Sequence, residues 1–441
     1  MSTLRNLARR ILSVTSADAR GVADQQTRHV VDAIGGGHAA ASLPEVGRLV
    51  PLFENSPAWE APVLSAAIRA SEVDDIELHS CTTPTSVAAA AALAMAARDP
   101  SLQPDVRAAV LAGTDAIVRL GRAMGGPAIL YSEHWPTALA APAGAAAVAA
   151  RLMRLDGPQT VTALCTALIT TAGAGARFTG KLPARWLVHA SAVQAGIRAA
   201  FAAQAGFEAD PDLLDRDWLA QTHNIVPDLA CLDESEPGKV YGTISLKPFC
   251  SARQALGAVD TLLDFLSTGP DPAAVDRIVV TVPVPVARML DRPVDLANRA
   301  STYVSLPYQL AVAAYRPERL QSVSRHDMPM DAGIAALMER VTIVGSPGLE
   351  RGEAGFWTAS LEVVANGMST TLDASHARGS PRRPLSDAEV RRKFEANVAP
   401  QEIAAAFYDE AGRCLDVAQA ARTVVDTIIS RARSGAAAPN P

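Results

Sequence analysis

Aromatic residues are scarce in this chain, only 5% of its 441 residues, so Phe, Tyr and Trp cannot supply most of its interior. Hydrophobic residues still make up 49%, and alanine accounts for much of that share. Alanine favours helix and contributes little transfer free energy per residue, which predicts close-packed helices with small contact residues. Cysteine is equally thin. Cys81, Cys165, Cys231, Cys250 and Cys414 are scattered, odd in number and never spaced CxxC. That excludes a cysteine-built zinc site and fits a reducing, cytoplasmic setting. A basic excess is also missing: the net charge of −6 argues against a nucleic-acid binder, and an anionic substrate must be met by locally clustered Arg or Lys. Long apolar runs are short or interrupted. Residues 87–97 are too few to cross a bilayer, and Pro142 and Gly144 interrupt 137–153, so no membrane span is expected. Residues 1–17 carry Arg5, Arg9 and Arg10 but no apolar core followed by a small-residue cleavage site, so no signal peptide is expected.

What is present divides by texture. The length suggests two domains. From about Thr27 to Ala205, helix-forming stretches succeed one another: 65–70, 86–97, 105–124, 138–155, 158–172 and 188–205. Near Pro237-Gly238 the pattern changes. Residues 240–248, 277–283, 340–344 and 358–365 read as strands, with helices over 251–265 and 305–314. The run 378–384 reads as a linker. Ser386 to Glu389 then opens a helix with capping-box spacing, and the last helix puts Leu415, Ala418, Ala421, Val425 and Ile428 on one face. The expected fold class is mostly α: a large, discontinuous helical domain (1–239 with 386–434), a smaller α+β domain (240–385) and a disordered tail (435–441).

The densest ionisable stretch is 72–85, where Glu72, Asp74, Asp75, Glu77, His79 and Cys81 lie between two Ala-rich runs. Crowded acids at the mouth of apolar helices form a solvated helix start or hold shifted pKa values for proton transfer. If Asp74 and Asp75 are helical they point about 100° apart, so one caps or pairs while the other faces inward. His134 and Trp135 precede a helix whose first turn carries Pro136 or Thr137. The segment from Arg185 to His189 opens another helix, where a cation disfavours the dipole unless an acid intervenes. That marks Arg185 as a carboxylate clamp. Lys247 and Arg253 flank a strand-to-helix junction, and Tyr308 stands at a helix start. Scattered cations, a phenol and clustered carboxylates suit proton abstraction beside a substrate carboxylate. Gly175 to Lys181 fits GxxxxGK, but Leu182 replaces the metal-binding Ser or Thr, so the glycines read as a helix-ending loop. No serine-hydrolase elbow, HExxH or dinucleotide fingerprint occurs, and His79 lacks a histidine at i+4. Neither a metal nor an organic cofactor is expected.

The order of these motifs resembles the MmgE/PrpD superfamily, which includes 2-methylcitrate dehydratase, cis-aconitate decarboxylase and iminodisuccinate epimerase. The resemblance rests on Ser71 to Asp75 with Thr83-Pro84-Thr85, Trp135-Pro136-Thr137 with the Gly144 to Asp156 helix, and Leu246 to Phe249. Ser305 to Tyr308, Pro384 to Ser386 and Lys393-Phe394 complete it. It implies a helical domain with a smaller lid domain, a homodimer, and chemistry without metal or nucleotide on a small di- or tricarboxylate. Carried over by position, Glu72 takes the place of an active-site Asp, Thr83 and Trp135 those of two histidines, Arg185 that of a Lys, and Val188 that of a nearby His. Lys247 and Tyr308 match the pattern. The resemblance implies catalytic roles for Glu72 and Tyr308; the acid cluster adds Asp75, and His79 and His134 supply a relocated base where the local backbone turns them inward. Thr83, Trp135, Arg185, Lys247 and Arg253 would bind substrate. The expected activity is a lyase; an epimerase using the same abstraction, or a carboxylate binder without catalysis, are the alternatives.

Overall fold

A computed structural model describes residues 2–132, 134–171, 182–233, 238–399 and 406–436. The chain forms two compact units, Met1–Ser245 with Asp387–Pro441, and Leu246–Ser386. The fold is mostly α, with a smaller α+β region.

The first unit begins with α1 (Thr3–Ser13), α2 (Ala23–Ala40) and α3 (Glu60–Ala70). It continues through α4 (Pro84–Arg98), α5 (Val106–Ala123), α6 (Pro136–Leu152), α7 (Gly157–Ile169) and α8 (Ala184–Gln204). Helix α6 is central, packing on α4, α5, α7 and α8, and it is buried almost throughout. Its small residues make that possible. A Cβ on Gly144 would lie 2.0 Å from Ile117 Cγ1 of α5, closer than any real carbon contact. Pro142 lies inside α6 and does not end it. Helix α1 precedes the region where helices were expected. Leu4, Leu7, Ala8 and Ile11 form its buried stripe, at the i, i+3, i+4, i+7 spacing of an amphipathic helix. The two-residue strands β1 (Ile76–Glu77) and β2 (Ile244–Ser245) pair antiparallel.

Two expectations around these strands need correction. Glu72 to Asp75 form an irregular turn rather than a helix start, because β1 pairing begins directly after them. The strand expected over 240–248 is a 3-10 turn, Lys239–Thr243, followed by the two residues of β2. Strand character needs a paired neighbour, and β1 offers only two residues.

In the second unit α9 (Arg253–Ser267) precedes β3 (Val275–Pro283), and α10 (Leu306–Tyr315) precedes β4 (Val341–Ser346), β5 (Ser360–Ala365) and β6 (Met368–Asp373). The sheet order is β4-β3-β5-β6, with β3 and β4 parallel and the other pairs antiparallel. Strand β6 was not anticipated. Its turn is Asn366-Gly367, both at positive φ, the residue pair most suited to a two-residue hairpin. The segment read as a linker is instead a pinned turn. Arg378 donates to the buried Asp260 from its backbone N at 2.8 Å and its Nε at 2.7 Å, and Arg383 NH1 reaches the same carboxylate at 3.2 Å.

The chain re-enters the first unit with α11 (Asp387–Val398), packed on α2, and ends with α12 (Ala418–Ala436), packed on α4. Helix α12 continues to Ala436, through the first two residues of the expected tail, and Ile429 and Ala432 lie on its buried face. Residues 437–441 lie outside the described residues, as does the GxxxxGK segment. No helix among the described residues is long and apolar enough to cross a membrane.

Candidate active site

Where α3 ends, Ser71 Oγ donates to the Ile68 carbonyl and accepts from the Val73 N–H at 3.3 Å, which turns the chain sharply. Glu72 occupies the left-handed region at φ 55°, a conformation that costs a non-glycine residue on the order of 1–2 kcal/mol. This turn aims its buried carboxylate back across the helix end. Arg69 NH1 lies 3.0 Å from Glu72 Oε2 and 3.2 Å from Asp74 Oδ1. From the first turn of α8, Arg185 NH2 reaches Glu72 Oε1 at 3.4 Å. The acid that a cation at a helix N-terminus requires is therefore Glu72.

Two indoles frame these charges. The Arg185 guanidinium sits 4.4 Å from the Trp186 ring centre and 5.2 Å from that of Trp135, while Arg69 lies 5.8 and 5.7 Å from the same two rings. Cations over indole faces are attracted by the ring quadrupole, and more so when desolvated. One turn along α8, the buried His189 ring lies 5.7 Å from Trp135, and its Nε2 is 2.8 Å from Ser65 Oγ of α3. Burial first, then the charges of Arg69 and Arg185, push its imidazole down to about 3. His189 is thus neutral at any ordinary pH. The cluster combines two guanidiniums, two acids and an uncharged imidazole between aromatic walls.

A second buried network lies next to this turn. Nδ1 of His29 in α2 is 3.0 Å from Asp75 Oδ2, and the Thr85 hydroxyl donates to the same oxygen. Lys393 of α11 places Nζ 2.6 Å and 2.8 Å from the two Asp32 oxygens, and donates to the Val73 carbonyl at 2.7 Å. Burial drives the Asp32 carboxyl up, and Lys393 opposes that. Helix α2 leaves room for the turn at Gly36, where a Cβ would lie 2.8 Å from both Ser71 Oγ and Val73 Cγ2. The acid turn is therefore seated on α2 and tied to α11.

The structure brings together Glu72, Trp135 and Arg185 from the expected set, with Asp75 on the adjoining network. Thr83 is buried at the start of α4, its N–H donating to Thr137 Oγ1 at 3.2 Å. The buried His134 ring meets His223 edge-on at 6.0 Å. His79 does not join the cluster. Its side chain is 71% exposed, and its Nδ1 lies 3.1 Å from Glu77 Oε1. Glu77 itself is buried; hydrogen bonds from His79, Arg122 and Ser80 outweigh the opposing desolvation and hold its carboxyl down to about 2. In the second unit Lys247, Arg253 and Tyr308 are all buried, Arg253 lies 5.3 Å over the Trp357 ring, and burial raises the Tyr308 phenol against the opposing charges of Arg325 and Arg319.

Arg69, Trp186 and His189 were missed by the sequence reading. Arg69 stands three residues before Glu72, and His189 four after Arg185, both helical-face spacings that pair side chains. The carry-over placed the lost histidine at Val188. One residue further along α8 turns the side chain by about 100°, and His189 is the one that points to Trp135. Among the described residues, no three His, Cys, Asp or Glu side chains are grouped to hold a metal ion.

The chain matches two family models in succession: the MmgE/PrpD N-terminal domain over residues 3–224, and the MmgE/PrpD C-terminal domain over residues 249–407. No curated protein matches it.

Proposed function

Because the chain belongs to the MmgE/PrpD family, which implies dehydratase-type lyase or related carboxylate-processing activity, we propose a cofactor-independent lyase acting on a small di- or tricarboxylate. The observation that carries this reading is the Arg69–Glu72–Arg185 cluster between Trp135 and Trp186. Guanidiniums recognise carboxylates in a planar, two-point fashion, and aromatic walls exclude water that would weaken that attraction. Arg185 NH2 lies 3.4 Å from Glu72 Oε1, a long contact that an incoming substrate carboxylate can replace. Displacement frees a Glu72 oxygen beside the bound acid. Glu72 then takes the proton from the carbon next to the substrate carboxylate, and the guanidiniums offset the charge that develops on the carboxylate oxygens. In the dehydratase form, the electron pair left on carbon forms a double bond as the hydroxyl on the next carbon departs, gaining a proton to leave as water.

Asp75 and His134 remain candidates for moving that proton onward. On the second unit the same reading gives Tyr308 the donor role and Lys247 and Arg253 carboxylate binding, supported for Tyr308 and Lys247 by the resemblance and for Arg253 by its place as a cation at a helix start.

The decisive experiment incubates the purified protein with citrate, malate, succinate and related acids in deuterated water and follows them by mass spectrometry. Loss of water or carbon dioxide is the expected result. Deuterium uptake with no other change of mass would instead indicate an epimerase. Thermal stabilisation by an acid with neither change would leave a carboxylate binder, and the lyase reading would fall.

A further inference from the structure

His189 is a buried titratable group of the cluster that the reaction above does not use. Its Nε2 lies 2.8 Å from Ser65 Oγ, and both residues are wholly buried. Among the described residues the Ser65 hydroxyl meets no other acceptor, and His189 Nδ1 meets no partner at all. These facts select a tautomer. If Ser65 donates to Nε2, the imidazole proton sits on Nδ1 and a single buried group, that N–H, lacks a partner. If Nε2 carries the proton, both the Ser65 O–H and the Nδ1 lone pair are stranded. Leaving fewer buried polar groups unsatisfied favours the first arrangement.

A buried N–H with no acceptor among the described residues, on a ring that shares Trp135 with Arg69 and Arg185, is free to donate to an oxygen. The guanidiniums of Arg69 and Arg185 beside the same ring favour an anionic ligand as the source of that oxygen. We propose that His189, fixed as the Nδ1–H tautomer by Ser65, donates a hydrogen bond to a carboxylate oxygen of the bound substrate. This rests on the carboxylate reading above and deepens it. His189 acts as a neutral donor rather than a base, since burial and the two guanidiniums hold it uncharged. Ser65 is then a positioning residue, acting only through His189. In this chain the histidine does a different job from the general base that a histidine beside a carboxylate usually supplies.

Nitrogen-15 NMR of the histidine-labelled full chain, with H189N assigning the resonance, tests the tautomer without any substrate. The expected spectrum shows a protonated-type Nδ1 and a lone-pair-type Nε2, with S65A releasing that preference. A proton on Nε2 in the wild type overturns the proposal whatever the protein's activity. Citrate and succinate are then titrated in, with the His189 Nδ1–H and the Arg185 side-chain resonances followed together. Both should move. Movement of Arg185 alone keeps the carboxylate site and overturns the role of His189; movement of neither removes the carboxylate reading and this proposal with it. In binding followed by indole fluorescence, H189F is expected to weaken citrate at least ~10-fold, whereas H189N, whose amide N–H stands in for Nδ1–H, stays within ~3-fold. Equal affinities for wild type and H189F would also overturn it.

Discussion

Single side chains set what the cluster can hold. Arg185 reaches an acid, two indoles and the start of α8 at once, so its planar fork matters as much as its charge. R185M is expected to lower kcat/KM for the productive acid by roughly 100-fold, and R185K to recover only part of it, because an ammonium cannot stack and bind in two points. Steady-state kinetics with circular dichroism as a folding control measures this. His79 makes the opposite case. Its exposed ring pairs with Glu77, which Arg122 also holds, so H79A is expected to retain turnover within about 2-fold, in the range of a surface change. A large loss in H79A would mean that the proton path runs through the surface of the turn. The sequence made the types of these residues plain and left their directions open. His79 and His134 looked equally available by spacing, yet one faces solvent and the other faces His223.

At the scale of elements, the acid turn is held by packing from outside itself. Lys393 lies 320 residues after Val73 and still ties down its carbonyl. K393M leaves Asp32 buried without its cation and is expected to cost about 3–5 kcal/mol, measured by denaturant unfolding; D32L/K393M should recover most of it. A variant K393M as stable as wild type would show that Asp32 is held otherwise. Helix α6 depends on close approach. G144A would push a carbon into Ile117, and a loss of about 1–3 kcal/mol is expected, with I117V relieving part of it. The helices themselves were legible, since α3 to α8 follow runs of strong helix formers. Two signals were present and went unread: the amphipathic spacing of α1, and Asn366-Gly367 ahead of β6. The strand expected over 240–248 shows the converse, because β-branched residues without a paired neighbour make only a two-residue strand.

For the molecule as a whole, acid should act on the first unit through groups that include Glu77 and His189. Glu77 titrates at about 2, below the ordinary carboxyl value of 4.5, so its stabilisation is present above pH 4.5 and is lost as pH falls towards 2. His189 titrates at about 3, below the ordinary 6.5. The unfolded chain therefore takes up a proton below pH 6.5 that the folded one refuses, and stability declines from 6.5 towards 3. Thermal unfolding followed by indole fluorescence should give a Tm that falls steadily below pH 6.5 and more steeply below 4.5. E77Q should flatten the lower limb and H189N the upper one. A Tm in H189N with the same upper limb as wild type would assign that limb to other groups. A homodimer is proposed on the resemblance alone; light scattering at the mass of one 46.0 kDa chain would remove that assembly.

What the sequence determined by itself follows from local physics. Alanine-rich runs select helix, β-branched runs select strands where a partner exists, and the low aromatic content forces close helix contacts. The order of short motifs carried the family. The tertiary structure alone decided which charges meet. Arg69 and Arg185 come from different helices, and they converge on Glu72 because a left-handed turn, seated on Gly36 and tied by Lys393, points that carboxylate back. Whether Val188 or His189 faces Trp135 is likewise a matter of 100° of helix rotation. Spacing along one helix predicts which residues share a face; it does not say which face the rest of the molecule will cover.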